Sequence, residues 1–358
     1  MRQSMTRALC LFLGVLVVLA HVAAQDACAQ EEGRAARVVK VVAPQRLAIS
    51  TQAGQGVATL YADRDLDTPQ PDIRRAVLVL HGRLRNADVY KRSADAARLA
   101  AGEAGRASLM IVPQFLAPAD IREWQLGPSI IRWASSAWMG GEPAVGPAPL
   151  SAFDVLDGIL RKLADKKLFP SLDTVVVAGH SGGGQVVARY AVVGIGEAAL
   201  TAAGMHVRYV VANPSSYLYF SADRPDGRGG FAPFNRATCP DFNAWKYGPD
   251  DAIPYAGRLD LKATEAAFAQ RDVIYLLGTA DIDPEHPALD KSCGAEAQGP
   301  YRYARGVSYV AYLRARHGSA LKHRQWDVPG VGHNGDRMLT SSCGLAAHFD
   351  TGACTTAR

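Results

Sequence analysis

The chain has 358 residues, 48% of them hydrophobic and 20% charged, which excludes a mainly disordered chain and leaves room for one large α/β domain or two smaller ones. The net charge of +5 comes from basic residues scattered along the sequence, so no nucleic-acid-binding stripe is expected.

The first element is a leader. Residues 1–7 carry two arginines, and residues 9–20 are apolar but too few to cross a bilayer comfortably as a helix. The pattern predicts a signal peptide over residues 1–24, with cleavage after Ala24 or alternatively after Ala29, where small residues stand at the positions a signal peptidase reads. An uncleaved N-terminal anchor is the rival, and His21 interrupts the run it would need. Export implies a secreted or periplasmic protein with no membrane insertion after cleavage. In an oxidising compartment Cys239, Cys293, Cys343 and Cys354 are expected to form two disulfides. Three pairings are open; the short loop from Cys343 to Cys354 favours that pair, and with it Cys239 to Cys293. No CxxC and no cysteine-histidine pair at ligand spacing appears, so no metal is expected.

From residue 38 to residue 354 the sequence reads as a single domain. Residues 38–61 are expected to supply antiparallel edge strands. Continuous apolar runs at 76–80, 109–112, 174–178, 209–212 and 273–277 suit strands buried on both faces. Helical periodicity at 93–101, 153–164, 185–193 and 307–315 alternates with them, which predicts a doubly wound, mostly parallel α/β sheet. Two stretches break the alternation, residues 116–150 and 213–258, both rich in Gly, Pro and aromatic side chains. Insertions of that length in a compact domain are commonly functional.

Chemistry-bearing motifs fall at the ends of the strands. After the first run comes His81-Gly82-Arg83. After 174–178 comes Gly179-His180-Ser181-Gly182-Gly183 with a further Gly184, at a strand-to-helix turn that fits a nucleophile elbow. A phosphate-binding loop is the rival, but no Lys follows the glycines. After 273–277 comes Gly278-Thr279-Ala280-Asp281-Ile282-Asp283, and near the C-terminus Val331-Gly332-His333-Asn334. A serine hydroxyl needs a base, and the base an orienting carboxylate. Ser181, Asp281 and His333 supply them in chain order, with Asp283 as the alternative acid; both aspartates could instead be turn residues. An oxyanion hole would come from the amides of Gly182 and Arg83.

Through these four motifs, in order over residues 75–348, the chain resembles the α/β-hydrolase superfamily, and its HG pair and GxSxG are similar to those of secreted polyhydroxyalkanoate depolymerases and feruloyl esterases. The resemblance implies an extracellular carboxylic-ester hydrolase that works through an acyl-enzyme and needs no cofactor. Its substrate would be a small-molecule or polymeric ester. Dehalogenases of the fold carry Asp where this chain has Ser181. An amidase or peptidase on the same three residues is the nearest alternative, and a non-catalytic binding protein on the same scaffold is the alternative of another class. The aromatic insertions suggest a cleft for apolar or aryl groups, with at least one of Trp138, Tyr217 and Tyr219 expected to line it.

Overall fold

Strand alternation assigns the side chains before any helix is placed. In a computed structural model describing residues 37–354 apart from 135 and 258, Val175 and Val177 of one strand join one apolar cluster, while Val176 and Ala178 join the cluster on the opposite face. The expected leader, and with it both cleavage sites, lies outside the described residues.

The sheet has eight strands, β1 (Gln45–Thr51), β2 (Gly54–Ala62), β3 (Arg75–Leu80), β4 (Ser108–Gln114), β5 (Thr174–His180), β6 (His206–Ala212), β9 (Asp272–Gly278) and β10 (Arg324–Val328), with β7 (Asp223–Pro225) and β8 (Phe231–Pro233) forming a separate hairpin. Its order is β1-β2-β4-β3-β5-β6-β9-β10. The pairs β1/β2 and β2/β4 are antiparallel and the other five are parallel. The helices of eight residues or more are α1 (Ala87–Ala100), α2 (Ala152–Leu163), α3 (Gly182–Val193), α4 (Leu261–Ala269), α5 (Arg302–His317) and α6 (Ser342–Phe349). This is the doubly wound α/β-hydrolase fold expected from the sequence; the antiparallel edge expected over residues 38–61 is formed by β1 and β2, and residues 38–44 are in no strand.

Local chemistry explains the boundaries. At the start of α2, Ser151 Oγ accepts the Phe153 amide at 3.0 Å and the Asp154 carboxylate accepts the Ser151 amide at 2.7 Å, a reciprocal cap. The apolar positions Phe153, Leu156, Ile159, Leu160 and Leu163 then share one buried face. Covalent ties follow the expected pairing, Cys239 with Cys293 and Cys343 with Cys354.

Ion pairs cross the edge where the strands begin. Asp350, just past α6, meets Arg75 of β3 at 2.5 Å and Arg208 of β6 at 2.6 Å. Arg208 and His206 each reach Asp272 of β9 at 2.9 Å, and Arg324 of β10 closes on the same carboxylate. Burial pushes the Asp272 carboxyl up, but hydrogen bonds from His206 and Arg208 hold it far below the usual carboxylate range. The opposite edge, where the parallel strands end, carries the loops described next.

Candidate active site

Ser181 joins β5 to α3 at φ 60° and ψ −119°, a strained conformation for a residue with a side chain. The strain persists because the surroundings fix it. The Ser181 amide donates to the Ala212 carbonyl at 3.0 Å, tying the turn to the end of β6. A Cβ at position 183 would lie 2.3 Å from the Leu80 carbonyl oxygen, so only glycine lets α3 start against β3. A Cβ at position 182 would lie 3.0 Å from the Arg83 amide nitrogen and 2.6 Å from Met139 Sδ. The backbone amides of Arg83 and Gly182 thus come together beside Ser181, as an oxyanion hole would need.

Two hydrogen bonds link the three residues singled out from the sequence. Ser181 Oγ donates to His333 Nε2 at 2.9 Å, and His333 Nδ1 donates to Asp281 Oδ2 at 2.8 Å. The loop carrying Asp281 is pinned by the Asp281 amide to the Gly278 carbonyl at 3.0 Å and the Ala280 amide to the Val331 carbonyl at 3.0 Å. Asp283 stands apart: it is exposed, and its carboxylate accepts the Glu285 amide at 2.9 Å as a turn residue does.

Charge is managed by burial here. Burial pushes the Asp281 carboxyl up, but the hydrogen bond from His333 and the charges of His333 and Arg302 leave it below its ordinary value. His333 is depressed, first by burial, against the raising hydrogen bond to Asp281. His180, whose ring centroid is 4.7 Å from that of His333, lies well below the ordinary histidine value because it is buried, and it accepts from the Tyr90 hydroxyl at 3.0 Å. His286 packs edge-on against His333 at 4.9 Å between centroids and is lowered by burial and by Arg302.

The aromatic candidates are corrected by their burial. Trp138, Tyr217 and Tyr219 are each 0% exposed and line no open cleft. Tyr217 stacks on Tyr309 at 4.6 Å, and Tyr219 packs on Tyr312 at 4.6 Å under the Arg224 guanidinium. Trp138 stacks on Phe115 at 5.0 Å and meets the edge of His81 at 4.8 Å. Aromatic area on an insertion was first needed to bury the insertion itself. Trp138 supports the site from behind, since His81 accepts the Phe115 amide through Nε2 at 3.0 Å and donates from Nδ1 to the Gly82 carbonyl at 2.9 Å, setting the loop that carries Arg83. Burial lowers His81 to about 4, which keeps it neutral in that role.

Sequence reasoning missed Asn213, Arg302 and His286. Asn213 accepts the Gly278 amide through Oδ1 at 2.8 Å and donates to the Gly332 carbonyl at 3.4 Å, joining the loops of Asp281 and His333. Its position directly after a strand end was the signal available; Arg302 and His286 carried none. Among the described residues no group of three or more His, Cys, Asp or Glu is arranged to hold a metal ion, and no helix is long and apolar enough to cross a membrane.

No protein-family model matches the sequence, and no curated protein matches it. Solved structures do match. The chain is similar to the poly(3-hydroxybutyrate) depolymerase of Bordetella parapertussis, with TM-score 0.58 and 22% identity over 89% of this chain and 94% of that one. It is also similar to poly(aspartic acid) hydrolase-1 of Sphingomonas sp. KT-1, with TM-score 0.54 and 22% identity over 83% and 96% of the two chains. At that identity the likeness establishes the α/β-hydrolase fold.

Proposed function

We propose that the protein is an exported carboxylic-ester hydrolase in which Ser181 is the nucleophile, His333 the general base and Asp281 the carboxylate that orients it. The observation that carries this reading is the pair of bonds from Ser181 Oγ to His333 Nε2 and from His333 Nδ1 to Asp281, at 2.9 and 2.8 Å. Ser181 Oγ attacks the ester carbonyl as Nε2 takes its proton, and the oxyanion rests on the amides of Arg83 and Gly182. The imidazolium returns the proton to the leaving alcohol. Water, deprotonated by the same nitrogen, then cleaves the acyl-enzyme to a carboxylic acid and free Ser181. Two disulfides in the chain support export.

Amide hydrolysis by the same residues is the second reading, favoured by the likeness to a hydrolase of poly(aspartic acid). It differs in the leaving group that His333 must protonate. The test is labelling with a fluorophosphonate and hydrolysis of paired p-nitrophenyl esters and anilides. Ser181→Ala should abolish labelling and lower turnover by about 10⁴ or more. Asp281→Asn should cost far more turnover than Asp283→Asn. Undiminished hydrolysis in Ser181→Ala refutes the assignment, and the ratio of ester to anilide turnover separates the two readings.

A further inference from the structure

The oxygen of Asp281 that does not meet His333 is also occupied. Arg302, the first residue of α5, donates from Nη1 to Asp281 Oδ1 at 3.3 Å, and its side chain and that of Asp281 are 0% and 1% exposed. Its Nε donates to Ser215 Oγ at 3.0 Å, while Nη2 is buried with no hydrogen-bond partner among the described residues. One carboxylate therefore stands between an imidazole and a guanidinium, out of water. Burying a cation is expensive, and a backbone amide or an asparagine could hold a carboxylate equally well. What neither could add is a positive charge next to the carboxylate that orients His333.

We infer that Arg302 is a positioning residue of this site, whose buried guanidinium clamps the outer oxygen of Asp281 and so fixes the range of pH over which His333 can accept the Ser181 proton. The inference rests on the proposed roles of Ser181, His333 and Asp281. The charged and titratable groups around His333 come from four places: Asp281 and His286 on the loop after β9, with Asp283 acting on His286, His180 at the end of β5, Arg302 on α5, and Arg83, whose charge acts on both Arg302 and His286. Asp281 draws a proton toward His333, and Arg302 opposes it. Burial keeps His180 and His286 toward the neutral form, so they add little charge of their own at neutral pH. Burial brings Arg302 itself down to about 10, which leaves it a cation at any pH where His333 titrates.

The sign follows. Without the guanidinium charge, the Asp281 and His333 pair binds its shared proton more readily. A second proton on the pair that goes to His333 Nε2 occupies the nitrogen that must accept from Ser181, so the acidic limb of kcat/KM moves to higher pH. A residue that only packed the loop would lower activity by the same factor at every pH.

The experiment measures kcat/KM for p-nitrophenyl butyrate from about pH 5 to about pH 9 in the wild type, Arg302→Lys and Arg302→Gln, with Ser181→Ala as the reference for enzymatic turnover and circular dichroism as the check on folding. Arg302→Gln should lose up to about threefold more activity low on the acidic limb than near pH 8, a limb displaced by about half a unit, and Arg302→Lys should keep the wild-type limb. Equal losses at all pH in both variants overturn the inference. If Arg302→Gln does not fold, Arg302→Met decides, since it keeps the apolar stem, removes the charge and should move the limb the same way; an unmoved limb there overturns it. Hydrolysis that persists in Ser181→Ala refutes the site and this inference together, whereas Ser181-dependent hydrolysis with a stationary limb refutes only the role of Arg302.

Discussion

The elbow around Ser181 and the insertion over residues 213–258 both follow central strands of the sheet, yet they are held by opposite means. The elbow is fixed by the absence of side chains: backbone meets backbone, and a Cβ at Gly183 would collide with carbonyl oxygens of Leu80 and His81 at 2.3 and 2.7 Å. The insertion is fixed by their abundance, with Tyr217 and Tyr219 packed on Tyr309 and Tyr312 and Arg224 over the Tyr219 ring. Steric exclusion leaves reactive groups at a surface, whereas aromatic burial consumes its own groups. A high aromatic content therefore marks where a long connection needs a core and says little about what lies in the cleft.

Three variants probe that contrast. The largest effect belongs to the elbow. Gly183→Ala should lose roughly 3 kcal/mol or more of stability, because carbonyl groups cannot move aside as a flexible side chain can, and at least about 100-fold in kcat/KM as Ser181 is displaced. Wild-type activity in a stable Gly183→Ala protein would break the steric account. Next comes the covalent tie of the insertion. Replacing Cys239 and Cys293 with serine opens a link across 54 residues of sequence and should lower stability by about 4 kcal/mol in denaturant unfolding, with kcat/KM changed by less than about tenfold. A larger loss of kcat/KM would show that the insertion governs the site after all. The smallest effect is Tyr217→Phe. Its hydroxyl is buried without a hydrogen-bond partner among the described residues, so stability should stay within about 1 kcal/mol and the order of preference over a panel of acetate, butyrate and aryl esters should not change. A changed order would return Tyr217 to the cleft.

How far the sequence carried the structure depends on what each residue had to signal. Strands buried on both faces announce themselves as unbroken apolar runs, and the expected run at 174–178 lies within Thr174–His180. Helix starts were harder to see. The α3 helix begins at Gly182 rather than residue 185, because three glycines that disfavour a free helix are confined by the elbow. The α5 helix begins at Arg302 rather than residue 307, because its first turn buries Arg302 and Arg305 through polar bonds to Asp281 and the Ser215 carbonyl, which no apolar periodicity reports. Ser181, Asp281 and His333 were legible as polar residues at the ends of strands, and the hydrogen-bond geometry favours Asp281 over Asp283. Arg302 read as one more arginine on a helix. The orientation of Trp138, Tyr217 and Tyr219 was never encoded in their spacing, since apolar area looks the same in sequence whether it faces a ligand or a neighbour.

The ion pairs running from Arg75 through Asp350, Arg208 and Asp272 to Arg324 have a consequence in salt. They tie β3, β6, β9 and β10 together along the margin where the strands begin, while the opposite margin, with Ser181, Asp281 and His333, is held by the backbone ladder, in which Leu80 pairs with Gly179, His180 with Ala212 and Gly278 with Val328. Salt screens the ion pairs of the first margin and leaves the backbone ladder of the second, so added salt is expected to weaken the fold before it disturbs the site.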